Sequence, residues 1–187
     1  GYIEQHFSPK TKFSSQQYFD YQPCIAGEQW TWQALKFEVL WPPKQVNRAY
    51  NPHSCVIRVV DTESDFKLLL TGDIEAISEW ILVREPEKLE SDVMLVPHHG
   101  SKSSSNPKFV KAVSPQLAIA SLAKANQWGM PADKVIHAYE NANAHWLDTG
   151  TSGQVSVFID QDNWHFETKR SETIEPWYRQ MLRKGVE

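Results

Sequence analysis

Short apolar runs alternate with segments of helical period along this chain, and the alternation predicts an α/β fold built on a mixed sheet. Three observations carry that prediction. Leu68-Leu69-Leu70, Val93-Met94-Leu95-Val96 and Leu117-Ala118-Ile119-Ala120 read as buried strands, each followed by a polar loop and then a helix-like stretch. Alternating apolar and polar residues give hairpin-like pairs towards both ends of the chain. No apolar run approaches the ~20 residues needed to cross a bilayer.

The elements follow in order. Residues 1–28 form an irregular lead-in, rich in Ser, Gln and Pro and without period as far as residue 23. Residues 29–32 and 36–41 have strand chemistry that Pro42-Pro43 stops. Residues 54–60 and 66–70 pair as a hairpin around a polar turn. Ile74, Ile77, Trp80 and Ile81 recur at helical spacing, which predicts a helix over 75–83 ending before Pro86. A strand over 93–96, a helix over 107–113, a strand over 117–121 and a helix over 132–141 come next. The second helix carries a stripe of Val135, Ile136 and Tyr139. A hairpin over 154–159 and 164–168 closes the sheet region, and residues 175–184 form a terminal helix with its cations late, as the helix dipole favours.

Composition narrows the classes. With 187 residues, 41% hydrophobic and 22% charged, the chain fits one soluble globular domain. A net charge of −4 excludes general polyanion binding, so any nucleic-acid contact has to be local. Cys24 and Cys55 are too few for a disulfide scaffold or a zinc–thiolate site, and their apolar neighbours mark them as small core residues. Eight tryptophans imply large anchors in a sheet, with Trp30, Trp32 and Trp41 flanking strand-like segments. The start lacks both a methionine and a signal-peptide pattern, so the chain is expected to be a piece of something longer.

Chemistry concentrates where the buried strands end. Leu70 runs into Thr71-Gly72-Asp73, which puts a carboxylate beside a glycine that permits close backbone approach. Asp73 is either a ligand there or the cap of the next helix. Val96 runs into Pro97-His98-His99-Gly100-Ser101. On an extended chain the two imidazoles point to opposite sides, so one would face a metal while the other packs. Ser101, Ser103, Ser104 and Ser105, with Lys102 and Lys108 nearby, form either a solvated loop or an oxyanion site at a helix start. A third strand end leads to Asn126-Gln127-Trp128-Gly129-Met130-Pro131. Three such ends in one sheet make one rim. Of the other histidines, His53 lies near that rim, while His137 and His145 belong to the penultimate helix region and His6 and His165 read as structural.

Taken in order, Asn51-x-x-Ser54, Thr71-Gly72-Asp73-Ile74-Glu75, Val96-Pro97-His98-His99-Gly100-Ser101 and Asn126-x-x-x-Met130-Pro131 resemble the C-terminal domains of the ComEC family of competence DNA-uptake channels. The resemblance runs from about Trp30 to Gly153. It implies a metallo-β-lactamase-like αββα sandwich, of which residues 1–187 are mainly the C-terminal half of one N-terminally truncated domain. It also implies divalent-metal-dependent cleavage of phosphodiester bonds in incoming DNA, with Mn²⁺ or Zn²⁺ as the ion. Asp73, His98 and His99 would be catalytic, Asp73 and His98 would hold metal, and Ser101, Lys102, Ser103, Ser104 and Asn126 would contact substrate. The implied parent is a bacterial inner-membrane channel, the domain being soluble and on the periplasmic side.

The chain departs from the family pattern twice. The fold's first signature, a His-x-His/Asp-x-Asp-His cluster, is absent, so the remaining ligands are expected upstream and this fragment is expected to hold metal incompletely. Methionine stands at Met130, where many relatives carry histidine, and a thioether is a poor ligand for hard divalent ions. These departures keep open a non-catalytic DNA-guiding or docking module, and more remotely a small-molecule hydrolase. The expected partners are DNA, the channel part of the same polypeptide and a second copy of the chain, since half a sandwich leaves an apolar face to cover.

Overall fold

The computed structural model describes residues 23–46, 48–160 and 163–170. A seven-stranded sheet runs in simple sequence order through β1 (Gln29–Trp32), β2 (Leu35–Trp41), β3 (Val56–Asp61), β4 (Lys67–Leu70), β5 (Val93–Leu95), β6 (Leu117–Ala120) and β7 (His145–Asp148). The first four strands are antiparallel neighbours and β4 to β7 are parallel, so the fold is α/β with a mixed sheet. The parallel strands are joined through α1 (Ala76–Leu82), α2 (Pro107–Val113) and α3 (Asp133–Glu140). A right-handed crossover between adjacent strands puts each of these helices on the same face. A single turn, α4 (Thr149–Ser152), leads to a separate hairpin of β8 (Val155–Asp160) and β9 (Asn163–Thr168). The strand β7 has no counterpart in the sequence reading, which placed His145 with the penultimate helix. His145 instead opens the edge strand, its amide donating to the Gln116 carbonyl at 2.8 Å.

The sheet's two faces are dressed unequally. Beneath the helices, Leu69, Met94, Ala118 and Ala120 pack with Phe109, Val110, Val113, Val135 and Tyr139 in the larger core. On the opposite face Phe66, Val93, Leu117 and Ile119 form a smaller core, roofed by Val155, Val157, Trp164 and Phe166 of the β8–β9 hairpin. Leu68 packs against that smaller core, and cross-strand register places Val59, Phe37 and Trp30 in line with it. Trp30 and Phe37 stack at 5.0 Å, while Trp32, next on that face, is 46% exposed. Of the three tryptophans expected to anchor strands, only Trp41 is buried, its Nε1 donating to the Pro52 carbonyl at 2.6 Å.

Helix α1 forms where the spacing places it, yet it is turned. Ile77, Trp80 and Ile81 are 54%, 56% and 38% exposed, whereas Ser78, Glu79 and Leu82 face inwards. The reason is polar. Ser78 Oγ donates to the Pro52 carbonyl at 2.6 Å, and the Glu79 carboxylate accepts the backbone N–H groups of Ser105 and Asn106 at 2.6 and 2.7 Å. Turning the helix to bury the apolar stripe would take the carboxylate away from the Ser105 and Asn106 amides and leave them unpaired.

The cysteines are not separate core residues. Cys24 and Cys55 form a disulfide with Cα atoms 6.0 Å apart, a pairing that no spacing in a two-cysteine chain discloses. The bond staples the segment before β1 to the start of β3, and the amides of Ala26 and Gly27 add hydrogen bonds to the carbonyls of Pro42 and Val39. The proposed terminal helix over 175–184 and residues 1–22 of the lead-in lie outside the described residues. Closing this loop is expected to contribute about 2–4 kcal/mol. Urea unfolding of the oxidised protein, with and without reductant, should show a loss of that size, and a Cys24→Ser variant should lose as much and no longer respond to reductant.

Candidate functional site

The carboxyl ends of β4, β5 and β6 form one rim, the place where parallel α/β sheets present their ligand sites. Because β3 is antiparallel to β4, the loop over 42–55 ends at that same rim. Each strand delivers its turn with a specific support. Thr71 is buried and donates from Oγ1 to the Leu95 carbonyl at 2.8 Å, locking the end of β4 to β5. Gly72 has φ +54°, and a side chain there would press on Ser54 Cβ at 3.0 Å. Ile74 is fully buried, so the residues flanking it, Asp73 and Glu75, both face the rim. The alternative role of Asp73 as a helix cap does not hold, because Glu75 occupies the cap position of α1 and the first helical amide, that of Ala76, bonds the Ser103 carbonyl.

The histidines do not lie on an extended chain. His98 and His99 have φ of 49° and 55°, and Gly100 follows at 79°, so three consecutive residues are left-handed. Each such non-glycine residue costs roughly 1–2 kcal/mol, and it persists where the surroundings determine it. Here they do: the His98 amide donates to the Gly72 carbonyl, Ser101 N closes the turn on the His98 carbonyl, and Ser104 Oγ donates to the Pro97 carbonyl. The consequence is that both imidazoles reach carboxylates. His99 Nε2 lies 3.4 Å from Asp73 Oδ1, and His98 Nδ1 lies 3.4 Å from Glu75 Oε1. Asn51 Nδ2 approaches His98 Nε2 at 3.3 Å and Ser103 Oγ approaches His98 Nδ1 at 3.3 Å, so both nitrogens of that ring have neighbours.

The Asp73–His99 pair is the open one, with half of the His99 side chain and 41% of Asp73 exposed against 18% of His98. His99 Nδ1 faces the Ser121 carbonyl at 2.5 Å, and since a carbonyl only accepts, this nitrogen carries the proton. With Nδ1 committed to Ser121, it is Nε2 that is turned to Asp73. A ring held by a backbone carbonyl through its far nitrogen is the usual arrangement of a metal-ligating histidine, so these two residues suit a divalent ion. Among the described residues no three His, Cys, Asp or Glu side chains group as a fuller ligand set. The structure thus sets Asp73 against His99, and sets His98 against Glu75, Asn51 and Ser103.

The serine segment is built differently from an open oxyanion loop. Glu79, fully buried, takes the amides of Ser105 and Asn106 at the start of α2, where an external anion would have sat. Burial pushes its carboxyl above the usual carboxylate range, and the two amides pull it part of the way back. Ser101 and Ser104 are buried, and Ser104 Oγ bonds the carbonyls of Pro97 and Ser101. Ser103 touches His98 and Glu75, and Lys102 is exposed. Asn126 is likewise committed. Its Oδ1 accepts from Trp128 N and Met130 N, and its Nδ2 donates to the carbonyls of Met130 and Ala123. Ser104 and Asn126 therefore hold loops together, and of the expected substrate set it is Ser103 that reaches the histidines, with Lys102 exposed to solvent. His53 lies against Tyr50, its Nδ1 accepting from the Tyr50 amide at 3.3 Å.

Three residues that the sequence reading did not single out shape this site. Glu75 and Asn51 stood in the quoted motifs, and the two-residue spacing of Asp73 and Glu75 around a buried isoleucine was the signal for the first. Glu79 had no local signal, since its partners lie 26 and 27 residues away.

No family model matches the chain. Related stretches do occur in longer curated proteins. The chain is 38% identical over 161 residues to a protein named Uncharacterized protein YcaI of Escherichia coli K12, covering 86% of the chain and 21% of that protein. It is 39% identical over 159 residues to Recombination protein 2 of Haemophilus influenzae, covering 85% and 20%. It is 37% identical over 129 residues to Competence protein ComA of Neisseria gonorrhoeae, covering 68% and 18%. The chain spans about a fifth of the length of these relatives, and the last two names indicate a competence-protein family.

The Glu79 clamp has a measurable signature. Glu79→Ala leaves the buried Ser105 amide and the part-buried Asn106 amide without their acceptor and is expected to cost about 2–4 kcal/mol in urea unfolding. Because its native pKa is raised, the carboxyl's linked contribution is full below the ordinary glutamate pKa and declines as pH rises through the native value. The stability difference between the native protein and Glu79→Gln should therefore shrink from acid to neutral pH.

Proposed function

We propose that this chain is a soluble domain of a competence protein that works in DNA uptake during natural transformation. In this reading it is the C-terminal half of a ComEC-type, metallo-β-lactamase-like sandwich, and with a divalent ion it cleaves phosphodiester bonds in incoming DNA. The observation that carries the reading is the pair of carboxylate–imidazole contacts, Asp73 with His99 and Glu75 with His98, presented on adjacent strand ends by a left-handed turn. Similarity to proteins named for competence and recombination supports the biological setting. The Cys24–Cys55 disulfide fits an oxidising compartment such as the periplasm. None of the helices among the described residues is long and apolar enough to cross a membrane, so the channel part would belong to the longer polypeptide.

Asp73 and His99 are the residues that would hold the ion, Mn²⁺ or Zn²⁺, with further ligands from upstream. When bound, such an ion lowers the pKa of water to near neutrality and offsets charge developing on the phosphodiester. The chain's own residues do the rest. The Ser121 carbonyl fixes the tautomer of His99, and Asn51 and Glu75 hold the His98 ring over the same rim. Ser103, beside His98, and the exposed Lys102 would meet the phosphate.

The longer protein containing this chain should cut a fluorescent DNA substrate in the presence of Mn²⁺. Asp73→Ala should lower the rate by 100-fold or more, and Asp73→Asn nearly as much. Undiminished cleavage by Asp73→Ala would overturn the metal-site assignment. DNA binding without any cleavage, in the native protein and at every metal tried, would put a DNA-guiding module in place of the enzyme.

A further inference from the structure

The loop over 121–131 carries a feature that the cleavage reading does not use. Both its ends rest on the histidine turn: the Ser121 carbonyl meets His99, and the Ala132 amide donates to the Gly100 carbonyl at 2.9 Å. Pro131 sits so close that a side chain at Gly100 would approach its Cβ at 2.8 Å. The start of the loop is tied to α4, where Thr149 Oγ1 bridges the amide and carbonyl of Leu122. Within it, Asn126 makes four hydrogen bonds, to Ala123, Trp128 and both backbone groups of Met130. At the tip of this braced loop stands Trp128, 70% exposed and the most exposed large apolar side chain among the described residues. Burying an indole is ordinarily favourable by about 1.5–3 kcal/mol, yet every brace in the loop presents it outwards.

Charge narrows what such a ring would meet. The stretch from 93 to 132 contains four lysines and no carboxylate side chain, in a chain of net charge −4. Lys124 shares the loop with Trp128, and Lys102 follows the histidine turn on which the loop rests. An outward indole beside cations, on a positive segment of an acidic protein, is the combination that binds single-stranded nucleic acid, the ring stacking on a base and the ammonium groups meeting phosphates.

We propose that Trp128 is a nucleobase-stacking residue for single-stranded DNA and that Asn126 is its positioning residue, holding the loop that aims the ring. The assignment rests on the reading above that this rim handles DNA, and it adds a contact that cleavage at Asp73 does not require. A strand threaded past the histidines would be gripped through one base at Trp128, with little regard to which base it is.

The test uses the longer protein containing this chain and a labelled oligo-dT, followed by fluorescence anisotropy over a salt series. Trp128→Ala should weaken binding about 5- to 150-fold, the range of one lost stacking contact, while Trp128→Phe stays within about threefold. The salt slope should be unchanged in Trp128→Ala, since no phosphate contact is lost, and should fall by about 0.7 in Lys124→Ala. Asn126→Ala should weaken binding like Trp128→Ala, and should add nothing when combined with it. Native affinity in Trp128→Ala, or full additivity of the two substitutions, overturns the respective assignment. If Asp73→Ala abolishes cleavage while Trp128→Ala binds normally, the stacking inference alone fails. If the native protein binds no DNA at all, both readings fail together.

Discussion

A buried carboxylate holds this architecture in register. Glu79 sits wholly inside the protein, and its two oxygens take the amides that open α2. Together with Ser78 it decides which side of α1 faces inwards, and so leaves Ile77, Trp80 and Ile81 in solvent. It also ties the helix after β4 to the serine segment after β5, a joint that the Ala76 amide on the Ser103 carbonyl reinforces. Taking a carboxylate out of water is costly, which is why its proton affinity rises. The two charge-assisted hydrogen bonds offset that cost only because both partners are backbone and cannot swing away.

From that joint the rest of the rim follows by contact. The serine segment packs beneath the histidine turn and Ser104 bonds the Pro97 carbonyl. The turn is left-handed over three residues and rests on the loops after β4 and β6. The loop before β3, itself stapled by Cys24–Cys55, brings Asn51 to His98 from the far side. Four separate pieces of chain therefore meet within hydrogen-bonding distance of two imidazoles. Such convergence is a matter of preorganisation: the side chains are held by structure formed for other reasons, and little reordering remains when a ligand arrives.

Much of this was legible in the residues. Strand and helix positions followed from period and from proline, because those signals are local: Pro42 ended β2, and Pro107 opened α2 where expected. The strand-end motifs pointed to the rim because a glycine beside a charged residue at the end of an apolar run has few other uses. What escaped the reading was long-range. His145 begins a strand because β6 offers it an edge, and nothing within the His145-Trp146-Leu147-Asp148 run alone says so. The disulfide joins residues 31 apart. The orientation of α1 depended on amides in another loop, and the side of each imidazole depended on backbone angles that histidine rarely adopts. Asn126 looked like a substrate contact because an amide in a loop is usually free; here four backbone groups of its own loop consume it.

The three left-handed residues at His98, His99 and Gly100 also constrain how this site can change over generations. Such backbone accepts glycine best and then asparagine or aspartate, while branched side chains are strained there. In the genetic code, histidine lies one base from both asparagine and aspartate. The easiest route by which a lineage could lose an imidazole thus runs through residues that keep the turn and the rim intact. Descendants of this protein that lost either imidazole by that route would keep the turn, and with it the outline of the rim.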